Sequence, residues 1–298
     1  MIPLKVRQIF AWLAGVPVVW NSYWCHRVRQ YICTPRVSFL HKRLPLLKRA
    51  NVDIAFAFDK NLVTQAAVTI TSLMDVSKDR CDYNFYCVVD DSVTDEHKAM
   101  ISKYVTGGST IKFLAGNSDF DTAYLRTKKP LPRPTWFRLM LPKLLPDLDK
   151  VIYTDLDVIF INDLAEAADL DLGDNLVAGV LDAHRDDYIN AGFTILNLKA
   201  MRDEGFYPKF IEHSKIQYQN QDQDVLNILC KGRIMFLPRR YNFAPKASWY
   251  MKCTAREYSD LKYHTVMLHF YDRFKPWAKQ KPFLGYIWQY YERIKDKG

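Results

Sequence analysis

The sequence has no CxxC pair, no Asn-x-Ser/Thr sequon, no internal repeat and no low-complexity stretch, and its first fifty residues contain neither Asp nor Glu. Each absence narrows the field. The six cysteines, Cys25, Cys33, Cys81, Cys87, Cys230 and Cys253, are too scattered for a zinc knuckle or a dense disulfide framework, so reduced thiols in a reducing compartment are expected. The lack of sequons agrees with a chain that never meets a glycosylating lumen. A bilayer crossing takes ~20 apolar residues, whereas the apolar run at 9–20 has twelve and contains Gly15 and Pro17. The bulky Asn21-Ser22-Tyr23-Trp24-Cys25 that follows offers no small-residue cleavage site, which argues against a cleaved signal peptide.

What is present begins with charge. The formal net charge is +9, yet nine basic side chains (Lys5, Arg7, Arg27, Arg29, Arg36, Lys42, Arg43, Lys48, Arg49) lie in residues 1–50. Removing those nine from 42 leaves 33 basic against 33 acidic side chains, so the body of the chain is neutral and the excess belongs to the arm. In the arm, cations interleave with Trp12, Trp20, Tyr23, Trp24 and Tyr31. That mixture suits an anionic membrane surface, where rings sit among headgroups and each cation adds about 1 kcal/mol. The expectation is a cytoplasmic protein, peripheral on the inner face of the cell membrane, with no nucleic-acid partner. An arm that simply packs on the domain is the alternative.

With 298 residues and 49% hydrophobic composition, the chain can bury a full core. A catalytic domain is expected over 51–280, followed by a C-terminal amphipathic basic helix in 281–298. Residues 52–58 read as a buried strand ending at Asp59-Lys60-Asn61, and Leu62, Ala66, Ile70 and Leu73 then place an apolar stripe on a helix. Further strands are predicted at 83–89, 110–114, 151–153, 176–181, 192–198 and 266–269. Helices are predicted at 93–105, 136–144, 199–215, 222–231 and 284–295. Alternating strands and helices imply an α/β fold, a mixed, mostly parallel sheet flanked by helices, whose ligands gather at the carboxyl ends of the strands.

The strongest local signal is Tyr153-Thr154-Asp155-Leu156-Asp157-Val158 at a predicted strand end. Residues i and i+2 of an extended chain point the same way, so Asp155 and Asp157 can present two carboxylates together. Such a pair repels itself unless a cation lies between, and a hard divalent ion accepts those oxygens while leaving room for substrate phosphates. The same string also resembles the first motif of haloacid-dehalogenase phosphatases, although here it falls about a hundred residues into the domain and lacks the small pair that follows it there. A non-enzymatic lipid- or nucleic-acid-binding module built on the arm is a third reading.

Over roughly 52–280 the chain resembles glycosyltransferase family 8, typified by bacterial lipopolysaccharide α-galactosyl- and α-glucosyltransferases. The landmarks run in order: Phe56-Ala57-Phe58-Asp59-Lys60-Asn61, Arg138, Asp155-Leu156-Asp157, Asn190-Ala191-Gly192-Phe193, Asp222-Gln223-Asp224-Val225-Leu226-Asn227, and His269 with Lys275-Pro276-Trp277. The resemblance implies a GT-A fold, a UDP-hexose donor, a glycan or glycolipid acceptor, and Mn²⁺ (or Mg²⁺) held by Asp155, Asp157 and His269. It implies nucleotide or diphosphate contacts for Ala57, Asp59, Asn61, Leu156, Ala191 and Lys275, and a contact of Arg138 with donor sugar and phosphate. Asp182, Asn190 and Asp222 would bind the hexose hydroxyls, with Gln223 beside the anomeric carbon. Family membership implies retention of configuration, and because an amide is a poor nucleophile, front-face substitution fits better than a covalent intermediate. Two departures stand out: Asp272 replaces a glycine between His269 and Lys275, and the link from Asp182 to Asn190 is short, so the acceptor cannot be transferred by analogy.

Overall fold

In a computed structural model of the chain, the described residues are 49–121, 132–182, 185–245, 264–271, 275–279, 282 and 284–295. The basic arm up to residue 48, Cys25, Cys33, Cys253 and Asp272 lie outside them. Cys81, Cys87 and Cys230 are buried free thiols.

Strand β1 (Ala50–Phe58) sends Val52, Ile54, Phe56 and Phe58 into one core cluster and Ala55 and Ala57 into a second. Alternation of this kind, apolar on both faces, marks a strand covered on both sides. The same division recurs in β2 (Cys81–Val89), where Tyr83, Phe85 and Cys87 face one cluster and Tyr86 and Val88 the other. Helix α1 (Val63–Val76) packs Ala66, Ile70 and Leu73 on the first cluster, as their spacing predicts. The seven-stranded sheet is completed by β3 (Thr110–Ala115), β4 (Lys150–Thr154), β6 (Val177–Leu181), β7 (Ile189–Asn197) and β8 (Ile234–Leu237), in the order β3-β2-β1-β4-β7-β6-β8. Every neighbouring pair is parallel except β4 with β7 and β6 with β7. A single reversed strand, β7, therefore brings its amino end to the edge where β1, β4 and β6 end.

A second, two-stranded sheet pairs β5 (Val158–Phe160) antiparallel with β9 (Met267–His269), setting Val158 opposite His269. Helix α8 (Gly285–Ile294) covers it, with Ile287, Trp288 and Tyr291 packed on Ile159, Ile161, Leu268 and Phe270.

Several sequence expectations are corrected. The helix expected at 199–215 is two helices, α5 (Leu198–Asp203) and α6 (Phe206–Ser214), separated by Gly205 at φ 65°, a left-handed turn that glycine adopts without penalty. The helix expected at 136–144 is a 3-10 segment, Arg133–Met140, running into a single α-turn, α3 (Leu141–Leu144). The helix expected at 93–105 is confined to α2 (Asp95–Ser102), capped by the Thr94 side chain. Helix α4 (Ala165–Ala168), β5 and β8 were not anticipated, and β7 starts three residues early, which puts Asn190 and Ala191 in a strand.

Candidate active site

The carboxyl edge of the sheet opens into a cavity of about 600 Å³. Of the expected site residues, Ala57, Arg138, Asp155, Leu156, Asp157, Asp182, Asn190, Ala191, Asp222, Gln223, His269 and Lys275 all line it. Asp59 and Asn61 do not. The Asp59 carboxylate accepts from the Asn61 backbone N–H (2.9 Å) and side-chain amide (3.2 Å), closing the turn after β1. Leu62, Thr135, Gln219, Tyr271 and Trp277 also face the cavity and carried no predicted role.

Asp155 and Asp157 stand in a bend between β4 and β5 instead of an extended segment, but their carboxylates still converge. One ligand atom each from Asp155, Asp157 and His269 fits within 4.8 Å of the others. His269 Nε2 lies 3.1 Å from Asp157 Oδ1 and 3.9 Å from Asp155 Oδ2. That nitrogen is buried and makes no hydrogen bond among the described residues. A buried polar atom without a partner calls for an explanation, and two carboxylates aimed at an unpartnered imidazole nitrogen form a donor set that fits a divalent cation of the Mn²⁺ type.

Backbone geometry builds this corner. A bulge in β7 between the pairs Gly179–Thr194 and Val180–Asn190 turns the Gly192 carbonyl toward the Asp155 N–H, which donates to it at 3.1 Å. A Cβ at Gly192 would stand 2.1 Å from His269 Cε1, so only glycine lets the imidazole lie against the strand. Asn242, a residue with no predicted role, sets its Oδ1 2.8 Å from His269 Nδ1 and donates its amide N–H to Asn190 Oδ1, also at 2.8 Å.

Charge is distributed around Arg138, which is 5% exposed. One terminal nitrogen donates to Asp155 Oδ1 (2.7 Å), the other to the Ala191 carbonyl (2.6 Å), and Nε lies 2.9 Å from Asp222 Oδ2. Its guanidinium also sits over the Tyr153 ring, 4.4 Å from the centroid. Burial opposes its charge, but Asp155, Tyr153 and Asp222 together hold its pKa above the ordinary value. Asp222 behaves differently: burial raises it to about 6, with Asp155 adding to the effect and Arg138 only partly offsetting it. Lys275 Nζ donates to Asp157 Oδ2 at 2.5 Å and to the Phe270 carbonyl at 2.9 Å. Burial pushes the Asp157 carboxyl up, yet His269 and Lys275 outweigh it and hold the group well below the carboxylate range.

Gln223 comes from α7 (Gln221–Leu229), whose first residue has φ 49°, a strained conformation for a side chain of this size. Its amide oxygen accepts the Ala191 N–H at 2.9 Å and its nitrogen donates to Tyr188 Oη at 3.3 Å.

A family model described as "Glycosyl transferase family 8" matches residues 53–281. A Haemophilus influenzae protein assigned to the glycosyltransferases is 28% identical over 215 residues, 65% of this chain but 64% of that protein's own length. The lipopolysaccharide 1,2-glucosyltransferase of Escherichia coli K12 is 28% identical over 251 residues, 76% of this chain and 73% of that protein. Among solved structures, the galactosyltransferase LgtC in complex with donor and acceptor sugar analogues superposes with a TM-score of 0.67 and 27% identity, covering 83% of this chain and 96% of that one.

Proposed function

Because this chain belongs to glycosyltransferase family 8 and is thus a glycosyl-transferring enzyme of GT-A fold, we propose that it is a retaining hexosyltransferase that moves glucose or galactose from a UDP-sugar to a glycan acceptor, lipopolysaccharide or another surface glycan. The observation that carries this reading is the convergence of Asp155, Asp157 and the unpartnered His269 Nε2 in one cavity with Asp182, Asn190, Asp222 and Gln223. The names of the Escherichia coli relative and of LgtC support a hexose and, for the former, a lipopolysaccharide acceptor. Neither the phosphatase nor the binding-module alternative has comparable support.

Asp155, Asp157 and His269 would hold Mn²⁺ or Mg²⁺, which when bound supplies positive charge against the diphosphate leaving group. The chain's own groups account for the rest. Lys275 adds a fixed cation at the same corner, and Arg138 bridges Asp155 and Asp222, partly offsetting their mutual repulsion. Asp182 and Asp222 offer oxygens to sugar hydroxyls. Asn190 Oδ1 is already taken by the Gly192 N–H and by Asn242, so Asn190 can present only its amide N–H groups and must act as a donor.

Retention by double displacement would need a carboxylate nucleophile beside the anomeric carbon. Gln223 offers an amide whose oxygen is bound to the Ala191 N–H. Front-face substitution follows: the acceptor oxygen bonds to C1 as the C1–O bond to phosphate breaks, and the acceptor proton passes to the departing phosphate oxygen.

Residues 1–50 are proposed to hold the enzyme on the cytoplasmic face of the cell membrane; among the described residues no helix is long and apolar enough to cross it. The test is to incubate purified protein and Mn²⁺ with a panel of UDP-hexoses. UDP release from UDP-glucose or UDP-galactose that stops on chelation is expected. No turnover and no binding with any UDP-hexose would sink the reading.

A further inference from the structure

His269 has two ring nitrogens, and a cation can be taken only by one that carries no proton. Which nitrogen that is can be worked out from a backbone group three hydrogen bonds away. The Gly192 N–H can only donate, and it donates to Asn190 Oδ1 at 3.0 Å. That assigns oxygen to the atom of Asn190 facing Gly192, and the same atom meets the Asn242 side chain at 2.8 Å. Oxygen facing Asn242 requires the Asn242 amide nitrogen there, which turns Asn242 Oδ1 toward His269 Nδ1, 2.8 Å away. An amide oxygen accepts only, so Nδ1 must carry the proton. In the neutral ring Nε2, which points at Asp157 and Asp155, then carries the lone pair. The relay is enclosed, with Asn242 7% and His269 2% exposed, so water is poorly placed to replace either partner.

From this geometry we infer that Asn242 is a positioning residue of the metal site: it locks His269 as the Nδ1–H tautomer and joins it, through Asn190, to the wall that meets the donor sugar. Metal-bound histidines commonly hand their second N–H to an oxygen acceptor, and loss of that acceptor lowers metal affinity about 10–100-fold. The inference rests on the metal site proposed above, but the tautomer can be read without any metal.

The experiment uses metal-free ¹⁵N-labelled full-length protein, with long-range ¹H–¹⁵N correlation at a pH where the imidazole is neutral and His269 assigned by difference from His269→Gln. The expected spectrum shows Nδ1 protonated and Nε2 bare in the wild type, and a proton moved to Nε2 in Asn242→Leu. Mn²⁺ binding to the same proteins, followed by the free-ion EPR signal, should weaken about 10–100-fold in Asn242→Leu. Asn242→Asp keeps an oxygen toward Nδ1 and should retain the Nδ1–H tautomer that Asn242→Leu loses; if Asn242→Leu fails to fold, the spectra of Asn242→Asp and of the wild type still decide. A wild-type Nε2–H tautomer, or an Asn242→Leu protein that binds Mn²⁺ as tightly as wild type, would overturn the inference. Wild-type protein that shows Nδ1–H yet binds no Mn²⁺ would instead sink the metal site and leave the relay standing.

Discussion

Arg138 is the residue on which the charges of the site balance. A buried arginine touching two carboxylates is destabilising to remove, because both acids then stay in place without a counter-ion; such losses run to about 3–5 kcal/mol. Arg138→Ala should lose stability on that scale in denaturant titration, and a variant within about 1 kcal/mol of wild type would show that the pairing is not needed. Asp222 gives a pH signature of known sign. Its carboxyl rises to about 6 in the folded protein from an ordinary 3.8, so between those values the folded state binds a proton that the unfolded state has released. Its contribution to stability is therefore fully present below the unfolded pKa and lost as pH rises through 6. The shift corresponds to about 3 kcal/mol. Unfolding of metal-free wild type and Asp222→Asn, compared from pH 4 to pH 7, should show a decline with pH in the wild type that the variant lacks; a steeper decline in the variant would contradict the assignment. Gly192→Ala places a Cβ 2.1 Å from the His269 ring, and a fold-retaining protein with Mn²⁺ affinity at least tenfold weaker is expected by calorimetry. At this scale the sequence showed Asp155, Asp157 and His269 through motif order, because those residues are adjacent or stand in a recognisable run. It did not show Asn242, or that one arginine bridges Asp155 and Asp222, because those contacts join segments 17 to 84 positions apart and leave no periodic trace.

At the scale of elements, the site depends on a reversed strand and a small second sheet. β7 begins at the ligand edge because it runs against β4 and β6, and its bulge supplies the Gly192 carbonyl to Asp155. β9 carries His269 and is held between β5 and α8. Truncating Trp288, the fully buried ring of α8, should cost about 3–5 kcal/mol in chemical denaturation; an unchanged midpoint would mean that α8 is not needed to support β9. The parallel alternation of strands and helices was readable because strands buried on both faces show continuous apolar runs. The direction of β7 was not, since nothing within a strand's own pattern encodes which way its neighbour runs. β5 and β8, at three and four residues, are too short to show alternation, and the break at Gly205 was hidden inside a stretch whose apolar spacing continued across it.

For the whole molecule, charge and catalysis are separated along the chain. The excess of basic side chains lies in residues 1–50, while the acids and cations of the site belong to the neutral body. Deleting residues 1–48 should leave UDP-hexose hydrolysis in solution intact and abolish salt-sensitive sedimentation with anionic vesicles; Asp155→Asn with Asp157→Asn should do the reverse, lowering turnover at least 10²-fold, the scale of losing a key electrostatic contact. The central claim is that one cation binds between Asp155, Asp157 and His269 against a sugar nucleotide's diphosphate. Anomalous diffraction at the manganese edge from crystals grown with Mn²⁺ and UDP tests it most directly. A single strong peak within coordination distance of both carboxylates and His269 Nε2, beside the UDP phosphates, is the result predicted; UDP bound with the manganese peak elsewhere, or with none at all, would contradict it.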